Sequence, residues 1–372
     1  MIALLRSTDG NPDSRFEKYV NFLSDEGINY FTCCWDRKCI KIDSPCNVYF
    51  HSLAKYGDGL KNIWNLFRFN VFIFITLYRR RKEYNVIHAA DLDTILPAIF
   101  IKVLFRKKII YDIYDWYIDS RCIKNRLAIT LIKFIEKFCI NFSDIVIICE
   151  PERESQILYR PKELWILPNI PNIPNIPNIA NIPSIRPFEN ISQHSLTISY
   201  VGILGYERGL EKLIRYVKEH SEVKLEIAGF GPLENLLEDV NKYPNIKYYG
   251  SVKYDVGLKI MRQSDLIYAV YEKSNPNHIL AAPNKYYEGL YLGKPIITTE
   301  GTIVGEKTIK YNTGFCIQET YSDLQNLFKT INRDMINERS INAFKLWEKS
   351  YSTYTQTFLK SKYLAFLNDN KS

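Results

Sequence analysis

"TISYVGILGYERGLEKL", residues 197–213, runs from a β-branched and aromatic stretch through a glycine-bearing turn straight into a helical pattern. Thr197 to Val201 suit a buried strand, while Leu210, Leu213, Ile214 and Val217 recur at the spacing of one helix face. Strand, short turn and helix form the unit of a parallel sheet, because parallel strands need a crossover that a helix supplies. The unit recurs downstream, as "VKLEIAG" before "PLENLLEDVNK", "IKYYG" before "YDVGLKIMRQS", "LIYAVY" before "NKYYEGLYLG", and then "KPIITT". It recurs upstream too. "MIALLRS" leads into "SRFEKYVNFLSDEG", followed by "NYFTCCW", a basic helical region, "NVIHAAD", "TILPAIFIKVLF", "KKIIYDIYD", a long helix over about 123–141, and "DIVIICE". Two α/β halves with parallel sheets are the expected fold.

Between the halves lies "PNIPNIPNIPNIANIPSI", residues 168–185, four Pro-Asn-Ile triplets and two altered copies. A proline at every third position removes a backbone donor each time and pushes the preceding residue out of the helical region, so neither a helix nor a central strand forms. An extended, polyproline-like path spanning on the order of 55 Å if straight is what remains. The reading is a spacer, with a recognition stripe for a partner as the alternative. The expected domains are 1–165, the repeat linker 166–187, a second domain 188–335, and a C-terminal helical segment 336–372 packing back toward the first.

The chain has 372 residues and a net charge of +8, with 46% hydrophobic content, enough for a substantial core. Its eight cysteines show no C-x-x-C pair and no zinc or disulfide spacing, which reads as reduced and cytoplasmic. The N-terminus resembles neither a signal peptide nor a membrane span, and "VFIFITLY" at 71–78 is too short to cross a bilayer. Residues 51–110 carry eleven Lys or Arg against four Asp or Glu, interleaved with aromatic and aliphatic residues. That pattern suits a protein lying on an anionic membrane face, the alternative being a pair of core helices with ordinary solvated ends, and no nucleic-acid motif accompanies it.

Three post-strand loops are candidates for chemistry: residues 7–15, 202–209, and "NPNHILAAPNK". In the second, Gly202, Gly205 and Gly209 let a backbone approach a phosphate, and Arg208 offers a bidentate fork at a helix start. A tight turn with a solvated arginine is the alternative. In "APNKYYEGLYLGKPII", residues 282–297, one helix face presents Asn284, Lys285 and Glu288. A cation suits a diphosphate and a carboxylate suits ribose hydroxyls, the alternative being an exposed lysine–glutamate pair. In the first half, His88, Asp91 and Asp93 follow one strand, and Asp112 and Asp115 end another. Such groups suit orienting an acceptor hydroxyl or donor sugar, with a structural role open for His88. Arg15 either meets the phosphates or pairs with Asp13. The five histidines never pair with acids at a ligand spacing, so neither a metal nor a cofactor is expected.

The run from "TISYVGILGYERGLEKL" through "LEIAGFGPLE", "NIKYYGSV", "SDLIYAVY" and "APNKYYEGLYLGKPIITTEG" resembles the C-terminal domain of group 1 (family 4) retaining glycosyltransferases of the GT-B fold. "NPDSRFEKYVNFLSDEGINYFTCCWDR" and "SDIVIICE" are similar to the family's first domain, and "LWILPNI" to its interdomain link. The resemblance implies two Rossmann-like domains with parallel sheets facing across a cleft. It places Arg208 and Lys285 at the donor diphosphate and Glu288, the second glutamate of the family's pair, at the ribose. Two positions depart: Leu280 stands where the first glutamate falls, and Ile203 where an arginine commonly follows the first glycine. The donor site expected is Gly202, Gly205, Arg208, Gly209, Asn284, Lys285, Glu288 and Arg15, with Arg208, Lys285, Asp115 and His88 as catalytic candidates. The expected activity is retaining transfer from a UDP- or GDP-sugar or similar donor to a surface glycan or lipid-linked precursor, at the cytoplasmic face of the membrane. A nucleotide-sugar epimerase and a scaffold acting through the repeat are the rivals.

Overall fold

The near-continuous apolar runs become parallel strands buried on both faces. In the computed structural model, which describes residues 1–8, 13–54, 59–171 and 196–369, two units separate: Met1–Pro168 with Gln356–Ser372, and Asn169–Thr355. The first unit contains β1 (Ile2–Arg6), β2 (Tyr30–Asp36), β3 (Asn47–His51), β4 (Val86–Ala90), β5 (Lys108–Ile113), β6 (Ile145–Ile148) and β7 (Leu164–Ile166). They form one sheet in the order β3-β2-β1-β4-β5-β6-β7. Its helices are α1 (Ser14–Asp25), α2 (Gly59–Arg79), α3 (Leu92–Phe105), the single turn α4 (Tyr117–Ser120) and α5 (Arg126–Phe142).

The second unit repeats the plan with β8 (Leu196–Val201), β9 (Val223–Ala228), β10 (Ile246–Tyr248), β11 (Leu266–Ala269), β12 (Ile296–Thr299) and β13 (Gly314–Ile317), ordered β10-β9-β8-β11-β12-β13. Its helices are α6 (Leu210–Glu219), α7 (Tyr254–Gln263), the turn α8 (Pro276–Ile279), α9 (Asn284–Leu292), α10 (Ile303–Tyr311), α11 (Tyr321–Thr330) and α12 (Arg333–Ser350). Each chain path builds outward for three strands and then returns to the first, so the order reverses between β1 and β4 and again between β8 and β11. Loops splay apart at such a reversal and leave a crevice at the strands' C-terminal ends.

Four details differ from the sequence reading. Strands β3 and β13 were not expected. The segment 232–242 forms two short 3-10 turns, Glu234–Leu237 and Val240–Lys242, in place of a helix. Leu233, Leu237 and Val240 are buried as helical spacing requires, but Gly231 at φ +150° and Pro244 close the segment, and tight turns fit it. The C-terminal stretch divides: α12 belongs to the second unit, whereas residues from Gln356 join the first, where Phe358 meets Trp165 edge-on and Tyr363 is fully buried. Most of the repeat lies outside the described residues, but its first copy is held firmly. The Asn169 side-chain amide donates to the Ala282 carbonyl at 2.8 Å and Ile170 is buried.

Two backbone and charge constraints are local enough to test. Gly229 sits at φ +145°, and a Cβ there would lie 1.8 Å from the Gly202 carbonyl oxygen, a backbone atom that cannot rotate away. Gly229→Ala is expected to destabilise the second unit by about 3 kcal/mol or more, read as a lower urea midpoint. Lys18, on the inner face of α1, is buried with its ammonium lacking a hydrogen-bond partner. Burial, reinforced by Arg15 and opposed by Asp112 and Asp13, lowers its pKa to about 7. A lysine depressed on folding penalises the folded state most where it must stay charged, below pH 7, and the penalty fades as pH climbs toward the unfolded value near 10.5. Lys18→Met should therefore raise Tm at pH 6 by roughly 3 °C or more, and the gain should shrink toward pH 10. A gain independent of pH would show that packing, not charge, is responsible.

Candidate functional site

At the second unit's strand reversal, the loop after β8 carries Arg208 on a turn ended by Gly209, whose φ of +62° starts α6. The Arg208 guanidinium lies 4.3 Å from the ring centre of Tyr271, just past β11. Its Nη1 is buried with no hydrogen-bond partner. From α9, Lys285 reaches across to the same loop, with Nζ 4.8 Å from the ring centre of Tyr200 at the end of β8. A Cβ on Gly202, at φ +147°, would stand 2.7 Å from that Nζ, so glycine is what lets the ammonium seat against the backbone. Burial works against the Lys285 charge, but Tyr271, Tyr200 and Glu288 outweigh it despite Arg208, and its pKa rises.

One turn along α9, Glu288 is only 4% exposed and accepts a hydrogen bond from the Tyr254 hydroxyl at 2.9 Å. Burial raises its pKa, against the pull of Lys285 and Tyr254. The exposed lysine–glutamate alternative is thereby ruled out. His278 closes the far side, buried against Tyr271, donating from Nδ1 to the Glu272 carbonyl at 2.9 Å. Burial and the neighbouring Arg208 depress its pKa, so it adds no third positive charge at neutral pH. Helices α6 and α9 both begin without a side-chain cap, and Asn284 is the first residue of α9. Gly205 is different. Its φ is −101° and a Cβ would meet only Arg208 Cγ at 3.7 Å, so the backbone there does not demand glycine.

The first unit treats its expected residues otherwise. Arg15 is buried, with Nη2 donating to Asp112 Oδ1 at 2.6 Å, Nε to Oδ2 at 3.1 Å, and Nη1 to the Leu167 carbonyl at 2.6 Å. Its guanidinium is thus neutralised inside the domain, which corrects the expectation of a phosphate contact. Asp13 is not its partner either: it pairs with Arg6 at 2.7 Å and caps α1 by accepting from the Phe16 amide. Burial alone would raise Asp112, but Arg15 and a His88 hydrogen bond hold it well below the usual carboxylate range. His88 is buried between Asp112 and Tyr363, with Nδ1 2.9 Å from the tyrosine hydroxyl. Its structural reading therefore prevails over a catalytic one. Asp115 is exposed, 4.0 Å from Arg153. Asp91, at φ +64°, accepts from the Tyr114 amide at 2.9 Å and pairs with Arg6; burial, more than Asp115 and Asp93, pushes it up to about 6.

Sequence reasoning missed Tyr200, Tyr254, Tyr271 and His278. The signal available was slight: Tyr200 and Tyr271 each stand at the end of a strand that delivers a candidate loop.

Residues 181–345 match the family profile of the glycosyl transferases group 1. No curated protein matches the chain in sequence. Among solved structures, the chain is similar to HepE from Anabaena in complex with UDP and glucose, at 13% identity over 97% of this chain and 99% of that one, with a TM-score of 0.68. It is similar to sucrose-phosphate synthase from Thermosynechococcus elongatus at 14% identity, covering 96% and 99% of the two chains, TM-score 0.64. A third is WaaG, a glycosyltransferase involved in lipopolysaccharide biosynthesis, at 14% identity, 94% and 96% coverage and a TM-score of 0.63. Identities this low speak for the fold, and the family profile speaks for the class. Residues 181–345 thus carry a glycosyl transferases group 1 domain, and with two Rossmann-like parallel-sheet domains the chain is a glycosyltransferase of the GT-B fold.

Proposed function

We propose that this glycosyltransferase moves a sugar from a nucleotide-sugar donor to a surface glycan or its lipid-linked precursor, with retention of configuration, at the cytoplasmic face of an anionic membrane. The observation that carries the donor half is the meeting of Arg208 and Lys285 over a glycine-walled loop, neither in an ion pair among the described residues and one guanidinium nitrogen buried without a partner. Such a site is unfinished until an anion arrives. As the bond from the anomeric carbon to the diphosphate breaks, negative charge grows on the leaving group, and cations already in position stabilise it without reorganising. Glu288, one turn away and buried, suits the ribose hydroxyls. HepE is known in complex with UDP-glucose, and WaaG serves lipopolysaccharide biosynthesis, which fits the donor class and the acceptor class respectively. Replacing either cation should remove most of the leaving-group stabilisation. Arg208→Ala and Lys285→Ala are each expected to cut turnover roughly 100-fold with folding retained, and Glu288→Gln to weaken mainly nucleotide-sugar affinity in calorimetry. Near-parental turnover in either cation variant would remove the diphosphate role.

The membrane half rests on the first unit. Among the described residues no helix is long and apolar enough to cross a membrane, yet α2 and α3 expose Trp64 (60%), Phe67 (58%) and Phe100 (60%), and Arg79, Lys82 and Arg106 are exposed at or just past their C-terminal ends. Arg80 is not part of that footprint, because it stacks on Phe31 and bonds Glu83 and the Pro45 carbonyl. Co-sedimentation with anionic vesicles should fall severalfold when Arg79 and Lys82 become Glu, while neutral vesicles bind little in either case. Equal binding to both vesicle types would defeat the electrostatic account.

A further inference from the structure

Helices α2, α3 and α5 of the first unit border an open pocket of about 530 Å³, within the usual size of small-molecule pockets. Its walls include Phe67, Phe74, Leu96, Phe100 and Ile132, and one end is formed by Asp93 and Asn70. Asp93 opens α3 just beyond β4, at the strand reversal, and is 5% exposed. Its Oδ2 accepts from the Ser7 hydroxyl at 3.0 Å and from Arg121 at 2.8 Å, but its Oδ1 is buried with no donor. Asn70 donates to the Leu66 and Asp93 carbonyls, both at 2.9 Å, and its Oδ1 is likewise buried with no donor. Two buried acceptors without donors are costly, about 1–3 kcal/mol each, unless a ligand supplies the protons.

Apart from Asp93, Asn70 and Tyr117 the lining is apolar. Phe67, Phe100, Leu131 and Phe134 are 58–68% exposed on the three adjoining helices that frame the cavity, and large apolar side chains left exposed on neighbouring elements mark a membrane or partner site. The exposed basic residues at the ends of α2 and α3 match an anionic bilayer in charge. We propose that this cavity takes the hydrocarbon chain of a membrane lipid whose neutral, hydroxyl-bearing head reaches Asp93 and Asn70. The lipid is then the acceptor, held with its head at the buried polar end and its chain toward the bilayer. A head beginning with phosphate is disfavoured, because the two unsatisfied atoms are acceptors and Asp93 is a carboxylate. This inference rests on the lipid-linked reading of the acceptor above.

The test uses the full chain and a pyrene-labelled long-chain alcohol, with the corresponding pyrene-labelled alkyl phosphate as comparison. The parent should bind the alcohol saturably, in competition with unlabelled alcohol, and more tightly than the phosphate. Ile132→Trp and Leu96→Trp fill the cavity from different walls and should each weaken uptake roughly tenfold or more, while UDP-, GDP-, CDP- and ADP-sugar binding by calorimetry stays as in the parent. Uptake unchanged in a folded filling variant, or no competable uptake by the parent, overturns the cavity assignment. Tighter binding of the phosphate overturns the head-group assignment. A parent that binds a nucleotide sugar but no alcohol defeats this inference alone; one that binds alcohol but no nucleotide sugar defeats the donor reading instead.

Discussion

Lys285 and Arg208 hold two positive charges against tyrosine rings instead of carboxylates, and the second unit is arranged around that choice. An ammonium placed where a Cβ at position 202 would touch it requires glycine there, and the Gly202 carbonyl in turn leaves no room for a Cβ at Gly229. Loop, loop and helix are therefore locked by contacts with no slack. Like charges held close repel, and burial, with Arg208 adding to it, depresses the pKa of His278, so no third positive charge joins them. The cation–ring contacts offset part of that cost, since an aromatic face attracts a cation without neutralising it. The net charge stays available to a ligand.

The first unit solves the same problem in the opposite way. Arg15 is locked to Asp112 and Arg6 is shared by Asp13 and Asp91, so these two guanidinium groups are matched by carboxylates. Tyr19, His88 and Tyr363 complete the network around Asp112, with the Tyr19 hydroxyl donating to it at 2.8 Å. A satisfied network of this kind fixes the geometry of β1, β4, β5 and the C-terminal segment, which is a structural task. Removing one partner would strand a buried charge, so the network is costly to disturb even where its net contribution to stability is small. Among the groups the first unit leaves without a hydrogen-bond partner are the Lys18 ammonium, the Tyr114 hydroxyl and acceptor oxygens of Asp93, Asn70 and Glu136.

By itself the sequence determined the alternation of strand and helix, the division into two α/β halves, and the identity of the two cations on the loop after β8 and at the head of α9. Those features are encoded by local periodicity, glycine placement and helix-start chemistry, which act over a few residues. The same local signals failed where neighbours far along the chain decide the outcome. Whether Arg15 is free depends on Asp112, 97 residues away, and whether His88 is free depends on Tyr363, 275 residues away. Neither distance leaves a trace in the local pattern. Tyr254, which anchors Glu288, comes from a separate helix, and the cavity beside Asp93 exists only because α2, α3 and α5 pack with a gap between them. Strand β3 was likewise settled by its pairing along β2, a partner that local propensity does not reveal. Burial, pairing and void are properties of the assembled chain, because each is set by what lies opposite a residue in space.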